Sequence, residues 1–353
     1  MGETNRSAKW VATWLLIGVG MTVIQIALGG ITRLTGSGLS ITEWNVVTGT
    51  LPPLNEAKWI EEFSKYKQTP QFQLLNFEFT LSDFKFIFFW EWFHRLWARL
   101  IGLVFAAGFV FFIVKRMFKP SMVPSLMVLF VLGALQGMVG WIMVASGLTG
   151  DAVYVKPTRL ALHFILALGL LCYTFWFAMQ LLIDQEQQIV HAKARRINIV
   201  LLALLVVQLL YGALMAGHKA ANVAATWPTI NGEWIPSLLF KDQPFLFNFI
   251  DNTILIHFIH RGLAYILLVV TLVWWFKLIK IDGSSLFNSF KKWPLIIVLL
   301  QVLLGIASVL TSSGIIPGQW GYFEWMAQLH QLMGMLLLLS LVMMLYLVQR
   351  KAQ

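Results

Sequence analysis

Eight times along its length the chain runs through an apolar stretch long enough to cross a lipid bilayer. No other feature of the sequence limits its folds as strongly. The stretches fall at about 10–32, 86–114, 122–147, 158–183, 197–217, 252–276, 293–313 and 325–348. A membrane span needs roughly 20 consecutive apolar residues at 1.5 Å each, and each of these supplies about that many. Only 12% of the 353 residues are charged, about half the share in an ordinary soluble domain. The expected fold is an all-α integral membrane protein of eight transmembrane helices.

The connecting segments alternate in charge. Short ones carry Lys115, Arg116 and Lys119, then Lys193, Arg195 and Arg196, then Lys277, Lys280, Lys291 and Lys292. Arg6 and Lys9 precede the first span, and Arg350 and Lys351 follow the last. Basic loops stay cytoplasmic, which places both termini inside and the longer loops outside. The net charge of +10 is thereby explained as a topology signal, and no nucleic-acid partner is expected. The polar stretch before Trp10 leads into a full-length span with no small-residue cleavage site, so the first helix reads as retained. Cys172, the one cysteine, has no partner for an internal disulfide. The long outer loops at about 34–84 and 218–251 are rich in Trp, Pro and Gly and too apolar to be disordered. They are expected to fold back as lids with short helices.

The second half repeats the first at an offset of about 166 residues. His94-Arg95 falls on His260-Arg261, Gln136 and Gly140 fall beside Gln301 and Gly305, and His163 falls within one residue of His330. Gln25 with Gly29 matches Gln208 with Gly212 at a larger offset. Four spans per repeat insert both halves in the same orientation. The simplest architecture is two pseudo-symmetric four-helix bundles, residues 1–183 and 184–353, side by side.

His94, His163, His260 and His330 each lie on an even-numbered span. Counted from a charged residue at the outer edge, they sit roughly 9–14 Å below the outer loops. Two imidazoles from different helices at one depth suit a porphyrin iron, which takes an axial ligand on either face. A single membrane histidine would more often be a helix-to-helix hydrogen bond; four, paired twice, favour ligation. Zinc would want Cys or carboxylate companions, and copper held by histidine alone stays open. Arg95 and Arg261 are candidates for pairing with haem propionates, against a bland reading as snorkelling cations. Arg33, Arg99 and Arg159 are weaker candidates near the same outer boundary, and His257 is a candidate neighbour of His260.

The halves differ at one telling position. Glu91 lies three residues before His94 and four before Arg95, so the three share a helix face. At the repeat offset Glu91 is replaced by His257. A carboxylate inside a span is costly and marks function, although it could serve only to pair Arg95. The first bundle would then hold a reactive pocket and the second a passive one.

These residues resemble the haem A synthase family, in particular its proteobacterial and mitochondrial class, over nearly the whole chain. The resemblance rests on Gly29-Gly30-Ile31-Thr32-Arg33-Leu34-Thr35-Gly36-Ser37-Gly38-Leu39-Ser40 followed by Thr42-Glu43-Trp44, and on Glu91-Trp92-Phe93-His94-Arg95. Gln136-Gly137-Met138-Val139-Gly140-Trp141, Ser146-Gly147-Leu148, Arg159-Leu160-Ala161-Leu162-His163 and His260-Arg261 complete it. It implies oxidation of the C8 methyl of haem O to the formyl of haem A for terminal cytochrome oxidases. It implies haem O as substrate in the first bundle, haem b in the second, and Glu91 as the catalytic carboxylate. It also implies a bacterial inner membrane, haem sites near the outer face, and haem O synthase and cytochrome oxidase assembly factors as candidate partners beside membrane lipid. Homo-oligomerisation is left open. The other class of the family carries cysteine pairs in outer loops, and this chain has none.

Two histidines on one iron leave no open position for dioxygen unless one of them leaves. Ring oxidation with attack by water, assisted by Glu91, is the mechanism this pattern suggests. The rivals are a di-haem b-type cytochrome that only passes electrons and a transporter suggested by the repeat and lids.

Overall fold

The computed structural model describes residues 3–44 and 48–349; Arg350 and Lys351 lie outside them. The described residues form eleven α-helices: α1 (Glu3–Leu34), α2 (Glu56–Tyr66), α3 (Pro70–Leu75), α4 (Leu81–Val114), α5 (Val123–Ala145), α6 (Pro157–Leu182), α7 (Ala192–Gly217), α8 (Thr253–Leu278), α9 (Ser285–Phe290), α10 (Trp293–Thr311) and α11 (Tyr322–Leu347). Among the described residues, eight helices are long and apolar enough to cross a membrane. They are α1, α4, α5, α6, α7, α8, α10 and α11, with α5 counted from the turn at Pro120 and α10 counted together with α9 and the turn that ends at Gly314. The protein is a multi-pass membrane protein.

Local capping explains where the helices begin. α4 starts at Leu81, five residues before the apolar run, because Thr80 and Asp83 cap each other reciprocally: Thr80 N donates to Asp83 Oδ2 at 2.9 Å and Asp83 N to Thr80 Oγ1 at 3.4 Å. α8 starts where Asn252 Oδ1 accepts from the backbone N–H groups of Ile254 and Leu255. At α7, His191 Nδ1 accepts from Ala194 N and draws the helix back to Ala192.

The extra turns of α4 have a purpose in packing. Phe84, Ile87 and Phe88 on its outer end are buried against Phe63 and Tyr66 of α2. The first long loop is thus folded, with the short helices expected of it. The second outer loop uses tighter 3₁₀ turns at Ala220–Ala224 and Phe245–Phe249. Asn248 and Asn252 tie it down, with Asn252 Nδ2 donating to Leu238 O at 2.9 Å.

Each spanning helix packs against its successor in four hairpins: α1 with α4, α5 with α6, α7 with α8, and α10 with α11. α1, α6, α7 and α11 also meet one another along a central seam. The largest apolar core lies along that seam and away from the long loops, around Leu171, Leu201, Trp274, Met335 and Leu341. Trp274 is buried and donates its indole N–H to Ala194 O at 3.0 Å, so even its one polar atom is satisfied. On the side opposite the long loops, two short parallel strands, β1 (Ile189–Val190) and β2 (Val348–Gln349), pair α7's approach with α11's exit.

Candidate functional site

All four histidines on the even-numbered spans line one cavity of about 1370 Å³, together with Glu91, Arg95 and Arg261. That volume exceeds the ~300–1,000 Å³ of a pocket for one ordinary small ligand.

Each imidazole lies against a glycine of the preceding helix. A β-carbon placed on Gly140 would fall 2.9 Å from His163 Cε1; on Gly212, 3.1 Å from His260 Cε1; on Gly305, 2.9 Å from His330 Cε1. At Gly29 the nearest atom is His94 Nε2, at 3.3 Å. The contacts at Gly140 and Gly305 are closer than a β-carbon can come, and those at Gly212 and Gly29 are tight, so the lack of a β-carbon gives the rings their room.

In the second half, the rings of His260 and His330 stand 6.2 Å apart, centroid to centroid, at 74° to each other. Two imidazoles sharing one metal at about 2.0–2.1 Å from each nitrogen have centroids about 6 Å apart. Among the described residues no cluster of three or more His, Cys, Asp or Glu gathers. A pair of imidazoles is a poor cage for a bare ion, yet it completes an iron whose other four ligands come from a porphyrin. The residues present therefore fit a haem.

Glu91 is 2% exposed, and its carboxylate is fully engaged. Oε2 accepts from Ser40 N and Ser40 Oγ, both at 2.7 Å, and from Ile41 N at 2.9 Å. Oε1 takes an ion pair from Arg95 Nη2 at 2.5 Å. The shared helix face expected of Glu91 and Arg95 is thus realised as an i, i+4 pair. Arg95 also donates to Ile41 O and Glu43 O and stacks over Trp44. Above this group, burial, reinforced by the Glu91 carboxylate, pushes the Tyr66 phenol up to about 12, so it stays a donor to Gln71 Oε1 at 3.0 Å.

Arg261 plays the corresponding part in the second half. Its Nη1 and Nη2 donate to Thr226 O, Thr229 O and Ala224 O, at 2.8, 3.2 and 2.6 Å. Both arginines that follow a histidine therefore staple an outer loop to the spanning helices. Arg261 Nε remains buried without a partner. His257 Nε2 lies 2.7 Å from Ala220 O and its Nδ1 has no partner, so it ties down the same loop.

The other arginines divide. Arg33 lines the cavity at the end of α1. Arg159 reaches Ile142 O at 2.9 Å. Arg99 lies eighteen residues inside α4, roughly 27 Å from its first residue, and lines the same cavity as His94 and Arg95.

The family model described as COX15-CtaA, cytochrome oxidase assembly protein, matches residues 12–342. The chain is 42% identical over 308 residues to the heme A synthase of Paracoccus denitrificans, covering 86% of this chain and 81% of that one. It is 38% identical over 337 residues to the heme A synthase of Flavobacterium psychrophilum, covering 94% and 96%. For that of Novosphingobium aromaticivorans the identity is 41% over 350 residues, covering 95% and 94%. The chain belongs to the COX15-CtaA family.

Two features of this COX15-CtaA member escaped the sequence reading. Ser40 and Ile41 sit about fifty positions from Glu91, and only the folded loop brings their N–H groups to it. The Gln and Gly pairs were visible as a repeat between halves, but not as four copies, each facing a histidine of the next helix.

Proposed function

We propose that the chain is a haem A synthase, an oxidoreductase that converts the C8 methyl of haem O to the formyl of haem A for terminal cytochrome oxidase. The observation that carries this reading is a cavity offering imidazoles from both halves, with a buried carboxylate, Glu91, three residues before His94 where the second half has His257 before His260. The curated relatives bearing the name heme A synthase support it over most of the chain.

On this reading residues 1–183 form the substrate unit, with His94 and His163 on the iron of haem O. Residues 184–353 form a second, related unit, with His260 and His330 on a haem b that carries electrons. Support for the repeat comes from the four hairpins and from the equivalent loop staples of Arg95 and Arg261. Arg261 Nε is the part of that side chain still open to a propionate. Arg95, with both Nη groups committed, contributes chiefly by holding Glu91 and the loop. The basic loops place the termini in the cytoplasm of a bacterium and the haem sites towards the outer face of its inner membrane. Haem O synthase and oxidase assembly factors are the proposed partners.

Each round of oxidation takes two electrons and one proton from the methyl carbon, passes the electrons to an acceptor, and adds hydroxide from a water that gives up the second proton. Two rounds give a gem-diol, which loses water to the aldehyde. Glu91 faces the cavity as the group that stabilises positive charge at that carbon or takes the proton of the attacking water. Its three donors from Ser40 and Ile41 fix its position. Ser40→Ala removes one hydrogen bond to a charged group, about 1.5–3 kcal/mol, and should lower the haem A to haem O ratio about tenfold. Pigment extraction measures that ratio, and an unchanged value would remove Ser40 from the account.

The function itself is tested in cells that make haem O and lack any haem A synthase. Expression should produce a formyl-bearing haem, seen in the pyridine haemochrome spectrum. Bound haem without any formyl product would instead indicate an electron-transfer cytochrome.

A further inference from the structure

Four times, a glutamine followed four residues later by a glycine faces a histidine on the next spanning helix. The sets are Gln25 and Gly29 with His94, Gln136 and Gly140 with His163, Gln208 and Gly212 with His260, and Gln301 and Gly305 with His330. All four glutamine Oε1 atoms are buried with no hydrogen-bond partner.

We propose that the Gln-x-x-x-Gly facing His163, His260 and His330 is a cradle that positions the histidine, the glutamine supplying an acceptor for the ring N–H that the metal leaves free and the glycine the room to reach it. This rests on the reading that these imidazoles bind porphyrin iron. The complete form is at His330, whose Nδ1 lies 3.1 Å from the backbone oxygen of Gln301. A helical Cβ leans towards the N-terminus, over the preceding turn. A side chain at position 305 would therefore cover the Gln301 carbonyl that the ring approaches. The other lone pair of that carbonyl stays with its own helix.

The glutamine side chains lie at the same rings. Gln136 Nε2 is 3.3 Å from both His163 nitrogens, Gln208 Nε2 is 3.3 Å from His260 Nε2, and Gln301 Nε2 is 3.4 Å from His330 Nε2. Half a turn of each amide exchanges its two ends and offers the orphan Oε1 to a ring N–H. A histidine that binds metal through one nitrogen nearly always donates from the other, which fixes its tautomer and raises its basicity.

The first hairpin departs from the other three. His94 turns Nε2, not Cε1, towards its glycine, and Gln25 Nε2 reaches the His94 backbone oxygen at 3.2 Å rather than the ring. The histidine on the helix of Glu91 is thus the one without the ring hydrogen bond.

The test uses the full chain purified with haem b. Gly305→Ala should speed haem loss at least tenfold and weaken the low-spin bis-imidazole spectrum. Gly262→Ala, where a β-carbon meets nothing within 4 Å, should change neither. Because Gly305→Ala could fail to fold, Gln301→Leu supplies a second reading. It should keep the low-spin spectrum and shift the midpoint potential by about 59 mV, a tenfold change in relative affinity for the two oxidation states. Wild-type haem retention and spectrum in a folded Gly305→Ala overturn the cradle, as does a wild-type potential in Gln301→Leu. A wild-type protein that takes up haem without any low-spin signal would instead overturn the ligand assignment beneath it.

Discussion

Glu91→Gln should keep its porphyrins and lose haem A formation by about 10²–10⁴, the usual contribution of a positioned acid or base. The substitution preserves shape and burial. Its single amide oxygen can still accept from Ser40 N, Ser40 Oγ and Ile41 N, which converge on one oxygen in the native protein. The amide NH₂ then faces Arg95 Nη2, so the ion pair is lost while the loop contacts persist. None of the four histidines depends on this carboxylate for its place, since each rests on a glycine of a neighbouring helix. Haem content should therefore hold while extracted pigment accumulates as haem O. A Glu91→Gln variant making normal amounts of haem A would show that the carboxylate serves only to pair Arg95.

The second large effect is structural. Arg95→Ala strips a buried carboxylate of its ion-pair partner, a change that typically costs about 3–5 kcal/mol. It also removes the donors to Ile41 O and Glu43 O and the stacking over Trp44. The thermal midpoint in detergent should fall, and the first outer loop should become readily cleaved by protease. Arg95→Lys should rescue little, because a point ammonium cannot reproduce the planar fork that meets a carboxylate and two carbonyls together. Arg261→Ala should cost less: its partners are neutral carbonyls, and no charge is left buried by its removal. An Arg95→Ala protein that keeps its midpoint and an intact loop while losing porphyrin would mean that propionate binding, not stapling, is the main duty of this residue.

The spans, the pairing of Glu91 with Arg95 and the histidines were legible because each depends on local spacing. Helical periodicity puts residues four apart on one face wherever the helix ends up, and an apolar run of bilayer length has few other fates. Helix ends were less legible. Thr80 and Asp83 extend α4 five residues ahead of its apolar run, and a capping pair gives no hydropathy signal of its own.

By itself the sequence determined an eight-span helical membrane protein, four imidazoles at a common depth, and a carboxylate three residues before only one of them, since hydropathy and spacing act over a few turns of chain. Only the tertiary structure decided where the polar groups spend their hydrogen bonds. The Ser40 and Ile41 N–H groups meet Glu91 from about fifty positions away, both arginine forks close on loop carbonyls, and each glycine admits a ring from another helix. Burial presses donors and acceptors to find partners, but which partner depends on how separate segments are packed, and no local pattern records that.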